Sequence, residues 1–202
     1  MQASKVVPPG HLGSVVTSLE MHARPPVSGP PAKSALRLIR WEAPVDRTRY
    51  RALFREIGEN WLWQGRLVMD DARLAKTLDA PTTEVHVAAR RDGVPVGLLE
   101  LDFAEPGTAE IAYFGLVPGM TGHGHGGWLM AHAMRLAWSG GAAGRPGISR
   151  VWVHTCDFDH PAALGFYMAQ GFVPFERAIE ILPDPRVTGI HPREAAPRIP
   201  II

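Results

Sequence analysis

Ala109-Glu110-Ile111-Ala112-Tyr113-Phe114-Gly115-Leu116-Val117-Pro118 and, two residues on, Thr121-Gly122-His123-Gly124-His125-Gly126-Gly127-Trp128-Leu129-Met130 carry the chain from an apolar strand through a glycine-rich loop into a helix. Glycines let backbone N–H groups approach a ligand closely, and the start of a helix adds partial positive charge. Together these make a phosphate site. No Gly-Lys-Ser/Thr follows, so this is not the loop of the P-loop nucleotide enzymes. A dinucleotide-binding βαβ unit fits poorly too. The strands before the loop read as antiparallel, and no acidic residue ends a following parallel strand at the required distance. Taken alone, the loop could also be a flexible connection without a ligand.

Upstream, residues 36–41 read as a strand, and residues 47–57 as a helix with Tyr50, Leu53, Phe54 and Ile57 at helical spacing. Asp70 and Asp71 mark the start of a second helix that runs to about Leu78. Three strand-like runs follow, at 84–89, 94–103 and 109–117, with Asp92-Gly93 and Pro106-Gly107 as turn residues. Downstream, residues 128–138 form a helix with Leu129, Ala133, Leu136 and Ala137 on one face. A glycine-rich linker at 140–147 leads to a strand at 150–155. Asp159 is placed to cap a helix that has Pro161 in its first turn and ends at Gly171, and residues 172–182 form a last strand. Such an order predicts an α+β domain built on one mixed, mostly antiparallel sheet.

Residues 1–33 carry three proline pairs and no periodic apolar face, so they read as a disordered or loosely attached arm, dispensable for folding. The proline-rich tail at 183–202 ends apolar and reads as an irregular strap. The domain itself then spans 34–182. Composition is that of an ordinary globular protein, with 46% hydrophobic and 20% charged residues. The net charge of +1 gives no electrostatic reason to expect nucleic acid or an anionic membrane as partner. A single cysteine, Cys156, excludes an internal disulfide and suits a reducing compartment. With no bilayer-length apolar run and no signal-peptide pattern, a cytoplasmic location is expected.

The loop segment resembles motif A of the GNAT acetyltransferases, Q/R-x-x-G-x-G/A, which falls here on Thr121, Gly124 and Gly126. His160-Pro161-Ala162-Ala163-Leu164-Gly165-Phe166-Tyr167-Met168-Ala169-Gln170-Gly171-Phe172 resembles motif B, N-x-x-A-x-x-x-Y-x-x-x-G-F. The resemblance covers roughly residues 35–182 and implies a three-layer α/β/α fold, with helices flanking the sheet. It also implies acetyl-CoA as acyl donor, no metal, and a small-molecule or peptide amine as acceptor. Cofactor contacts would come from Phe114, Gly115 and Leu116 on the strand, from Thr121, Gly122, His123, Gly124, His125, Gly126 and Gly127 in the loop, and from His160. Two positions depart from the pattern: Thr121 replaces the usual Gln or Arg, and His160 replaces an Asn. His123 and His125 could compensate only when protonated.

By the same resemblance, Glu110 is the base, Tyr167 the acid that protonates the departing thiolate, and the Leu116 N–H the oxyanion donor. An alkyl amine with a pKa of about 10 needs such a base near pH 7. Glu110 shares strand parity with Leu116 unless a bulge intervenes. A solvated strand carboxylate and a core tyrosine are the plain alternatives for Glu110 and Tyr167. His154 is a further base candidate, though a lone strand histidine is more often structural. Trp61, Trp63 and Arg66 either line the acceptor pocket or pack in the core. His123, His125 and His132 raise a metal site, but no spacing completes a tetrahedral shell. A non-catalytic acyl-CoA sensor is the alternative function. The acceptor and the oligomeric state stay open, a homodimer among the options.

Overall fold

Seven strands build one mixed sheet in the order β2-β3-β4-β5-β6-β1-β7 in a computed structural model that describes residues 5–25 and 34–202. The strands are β1 (His11–Met21), β2 (Arg37–Trp41), β3 (Thr83–Ala89), β4 (Pro95–Asp102), β5 (Thr108–Leu116), β6 (Arg150–Cys156) and β7 (Val173–Pro183). The helices are α1 (Arg47–Gly58), α2 (Asp71–Leu78), α3 (His125–Trp138) and α4 (Ala163–Ala169). All neighbours are antiparallel except β5 and β6.

Helix α1 forms because Asp46 caps it, accepting from Arg49 N–H at 3.0 Å, and because Tyr50, Leu53, Phe54 and Ile57 bury one face. Asp70 caps α2 in the same way, through Arg73 N–H at 2.7 Å. Such a cap contributes about 1 kcal/mol, and each buried large apolar side chain about 1.5–3 kcal/mol. The two sheet faces differ. Tyr113 packs on Phe54 of α1, whereas the next residue, Phe114, packs on Phe166 and Tyr167 of α4. Successive side chains of a strand point to opposite faces, so α1 and α4 flank the sheet from opposite sides.

The N-terminal segment departs from the expectation of a loose arm over 1–33. Residues 11–21 form an inner strand, with Val16 to Met21 paired to β6 and His11 to Glu20 paired to β7. Leu12, Ser14, Val16, Thr17, Leu19 and Met21 are buried there. The serine and threonine among them hide the alternation in sequence. Residues 1–4 and 26–33 of that proposed arm lie outside the described residues.

Helix α4 also starts differently from expectation. Its cap position is Ala162, without a side-chain bond, and Asp159 is engaged elsewhere. Helix α3 begins at His125, three residues earlier than the apolar pattern implies, since the glycines of the loop already adopt its first turn.

Past β7 the chain folds around a buried ion pair, Arg186 to Asp184 at 2.7 Å, whose guanidinium also donates to the carbonyls of Ala195, Ala196 and Ile199. Ala195 and Ala196 pack on Leu12 of β1 and on Leu62. This tail grips the segment after α1: His191 Nε2 donates to Trp63 O at 2.8 Å, and Arg198 donates to Asn60 O at 2.6 Å.

Candidate active site

Strands β5 and β6 are paired only from Thr108–Arg150 to Ile111–Val153, although β5 continues to Leu116 and β6 to Cys156. The sheet therefore opens beyond Ile111. On its other edge β5 stays paired with β4 as far as Leu116. Val117 N–H donates to Val96 O at 2.9 Å, which makes that a hydrogen-bonded pair. Antiparallel pairs alternate, so Gly115 and Tyr113 also bond to β4, while the N–H and C=O of Leu116 and Phe114 point into the opening. Two backbone amides are thus presented to whatever enters there.

Gly115 does not belong with them. Its backbone is engaged with Leu98, and a Cβ on it would lie 2.5 Å from Ile57 Cγ2 and 3.0 Å from Trp63 Cη2. The residue is glycine because α1 presses on the strand at that point. Gly115→Ala is expected to destabilise the protein by about 1–3 kcal/mol, measured by denaturant unfolding, because overpacking forces neighbours off their rotamers.

A register shift between Glu100 and Leu101 leaves Ala112 as an extra residue in β5. Glu100 faces Tyr113 and Asp102 faces Glu110, so the bulge returns Glu110 to the face of Tyr113 and α1. Leu116, opposite Gly97, lies on the other face. The parity expected between Glu110 and Leu116 is therefore broken. Bulges commonly re-aim side chains in this way beside active sites.

Glu110 lies 3.5 Å (Oε1) from His154 Nδ1, an imidazole on β6 just past the last β5–β6 pair. The interaction with Glu110 raises the His154 pKa above the ordinary histidine value against an opposing effect of burial, and Asp159 and Glu180 add to the rise. On the opposite face, Tyr167 is buried between Phe114, Phe166 and Phe172. Burial, and then Asp159, push its phenol well above the usual value, so it stays protonated at neutral pH.

At the end of β5 the loop turns through Gly119, Gly122 and Gly124, all at φ near +80°, the last acting as cap of α3. A Cβ built at Gly122, Gly124 or Gly126 meets nothing within 4 Å. These glycines thus leave open space beside the first turn of α3 among the described residues, and the leading N–H groups of a helix have no partner within it. Open space beside the free amides of a helix start is an arrangement that suits an anion. Thr121 is exposed, and His123 Nδ1 donates to Thr121 O at 2.7 Å. His125 turns to the flank, where its Nδ1 lies 2.9 Å from Ser34 Oγ. There it lines a hollow of about 390 Å³ with Met120 and three charged residues of the β3–β4 turn, Arg90, Arg91 and Asp92, of which Arg90 lies 3.7 Å from Asp92. That charged rim at the loop end was not foreseen, because only the pairing of β4 with β5 brings residues 90–92 beside residues 120–125.

His160 accepts from Ala162 N–H through Nδ1 at 3.1 Å and packs its ring on Trp61. Asp159 was read as a helix cap. Instead its carboxylate receives Thr155 Oγ1–H at 2.8 Å, Cys156 N–H at 2.9 Å and Trp63 Nε1–H at 3.0 Å. It ties the end of β6 to the segment between α1 and α2. Trp63 packs on Phe54 and Tyr113, and Arg198 stacks over Trp61. Arg66 pairs with buried Glu100 at 2.5 Å, and Glu100 also accepts from Tyr50 Oη at 2.5 Å. Arg66 is held in the core by Glu100, and Trp63 packs over Tyr113 on the face that Glu110 shares. Among the described residues there is no cluster of three or more His, Cys, Asp or Glu placed to hold a metal.

A mixed sheet that opens between two parallel strands, with a glycine loop and helix start at the mouth, is the arrangement of the GNAT fold. The chain belongs to the Acetyltransferase (GNAT) family, whose model matches residues 46–172. No curated protein sequence matches it. Among solved structures, it resembles a GCN5-related N-acetyltransferase from Sphaerobacter thermophilus (14% identity, TM-score 0.59, 85% of this chain and 52% of that one). A GCN5-related N-acetyltransferase from Kribbella flavida aligns at 19% identity and TM-score 0.51, over 87% and 60% of the two chains. A functionally unknown conserved protein from Staphylococcus epidermidis aligns at 17% identity and TM-score 0.54, over 87% and 63%. At these identities the likeness is one of fold, and the chain spans between half and two thirds of each of these structures. No helix among the described residues is long and apolar enough to cross a membrane.

Proposed function

We propose that the protein transfers the acetyl group of acetyl-CoA directly onto a primary amine of a small molecule or peptide, in a ternary complex. The observation that carries this is the opening beside β5, where the amides of Phe114 and Leu116 point at an unpaired edge. They would hold the pantetheine arm and polarise the thioester carbonyl, while residues 121–127 cradle the pyrophosphate. Bound there, acetyl-CoA supplies an activated acyl carbon. Glu110, on the face walled by Trp63, supplies the negative charge that draws the proton off the ammonium. Tyr167, on the opposite face, gives its proton to the departing sulfur. Cys156 is a poor covalent relay, because burial pushes its thiol up to about 11 and leaves roughly one molecule in ten thousand as thiolate near pH 7. Direct transfer is therefore favoured over an acyl-enzyme.

A screen of amines, polyamines, amino acids and peptides with acetyl-CoA, read by thiol release, tests the reading. Amine-dependent release is expected, and its absence with every acceptor class would overturn the reading. The loop assignment has its own test. Thr121→Arg should tighten coenzyme A binding about tenfold by calorimetry, since a charge-assisted hydrogen bond contributes roughly 1.5–3 kcal/mol and exposure takes the gain to the lower end. The gain should fall with added salt and vanish for a pantetheine fragment without phosphates. Equal tightening toward inorganic phosphate would reveal nonspecific charge instead.

A further inference from the structure

We propose that the acceptor's proton is taken by a coupled pair in which His154 faces the amine and Glu110 holds the imidazole from behind. This rests on the acetyl-transfer reading and names the atom at which its proton leaves. Three observations converge on it. First, Glu110 pairs in register with Trp152, and His154 is two residues further along β6, so the three side chains share one face. His154 is the first residue of β6 beyond the β5 pairing, at the point where the sheet opens. Second, Nδ1 of His154 and Oε1 of Glu110 lie 3.5 Å apart. A small adjustment from that distance would bring Nδ1–H onto the carboxylate and leave Nε2 for the acceptor, the division of labour that a carboxylate–histidine pair uses in acyl transfer. Third, the histidine side chain is 44% exposed and the glutamate 23%. A molecule arriving on this face meets the imidazole before the carboxylate.

The surroundings hold the pair at a useful basicity. Asp159 after β6 and Glu180 on β7 act on the ring in the same direction as Glu110. Glu176 shares the face, because Ser18 of β1 stands opposite both His154 and Glu176. Arg150, the cation nearest along β6, is occupied by Glu20 at 2.6 Å. A general base works best when its pKa lies near the working pH, which a raised histidine meets and an ordinary carboxylate does not.

The proton count closes. The acceptor enters as an ammonium ion and gives up two protons as the C–N bond forms and the C–S bond breaks. One passes through His154 Nε2 to water. Tyr167 gives its own proton to the sulfur, and the second proton, released through the same imidazole to water once the C–N bond has formed, balances the one that Tyr167 takes back from solvent.

The experiment compares wild type, Glu110→Gln, His154→Gln and the double variant, with an amine found in the screen. Two readouts are taken: the NMR titration of the His154 ring, and the pH profile of kcat/KM. His154 lies at the surface, so its replacement leaves the fold intact, and thermal melts check this. Glu110→Gln should lower the His154 pKa in the titration, and the acid limb of kcat/KM should move to lower pH by the same amount while the plateau falls. His154→Gln should cut kcat/KM about a hundredfold, and the double variant should be no slower, as expected for residues acting as a unit. A His154 titration indifferent to Glu110→Gln, or a His154→Gln variant at wild-type rate, would overturn the pair while leaving acetyl transfer standing. Absence of turnover with every amine would overturn both.

Discussion

Deleting residues 1–22 is expected to abolish cooperative folding rather than to trim a dispensable end. The deletion removes β1, and with it Leu12, Val16, Leu19 and Met21 from the buried interior. At about 1.5–3 kcal/mol for each large apolar side chain, the loss is roughly 6–12 kcal/mol, as large as the whole stability of a typical domain. The backbone consequence adds to it. Strands β6 and β7 have no contact across the sheet except through β1, so both would lose their ladder on that side. Circular dichroism and a denaturant titration check this. A sigmoidal transition near the full-length midpoint would show that β1 is an ornament of the sheet, contrary to its place within it.

Tyr167→Phe should lower turnover by about two orders of magnitude while coenzyme A binding and melting temperature stay near wild type, the size typical of losing a general acid. The ring packs against Phe114, Phe166 and Phe172, and the phenylalanine keeps all of that packing. Only the hydroxyl is lost. The deficit should shrink for acyl donors whose thiol leaves more easily, because a better leaving group has less need of a proton. Unchanged turnover, under conditions where the chemical step limits the rate, would return Tyr167 to the core as a structural aromatic.

Much of the fold was legible because its signals are local. The helical spacing of Tyr50, Leu53, Phe54 and Ile57, the turn residues of the hairpins and the alternate glycines of the loop each act within a few residues. The N-terminal strand escaped because two of its six buried positions are Ser14 and Thr17, and prolines flank it on both sides. Features of the site that depend on register were beyond reach of the pattern alone. The extra residue at Ala112 moves Glu110 to the other face relative to Leu116, yet nothing in Glu110-Ile111-Ala112-Tyr113 announces a bulge. Asp159 looked like a helix cap because a cap and a tie to Trp63 both need a short carboxylate after a strand. The partnership of Glu110 with His154 and the gathering of Arg90 and Arg91 beside the loop arise from strand neighbours far apart in sequence.

The placement of β1 also sets a clock for folding. Its partners lie about 130 to 170 positions further along the chain, from Met21–Val151 to His11–Pro183. At ribosomal speeds of about 5–20 residues per second, the first strand made waits on the order of ten seconds before its neighbours exist. Meanwhile residues 83–116 can already zip as consecutive hairpins, β3 with β4 and β4 with β5. The half of the sheet that carries the loop strand can thus assemble during synthesis, whereas the half that carries His154 must close last, by capture of a strand released long before. Such long-range closure is slow and leaves an apolar strand unpaired in the interval. Recombinant yield should therefore depend more on translation rate and chaperone supply than the modest size of the chain would suggest.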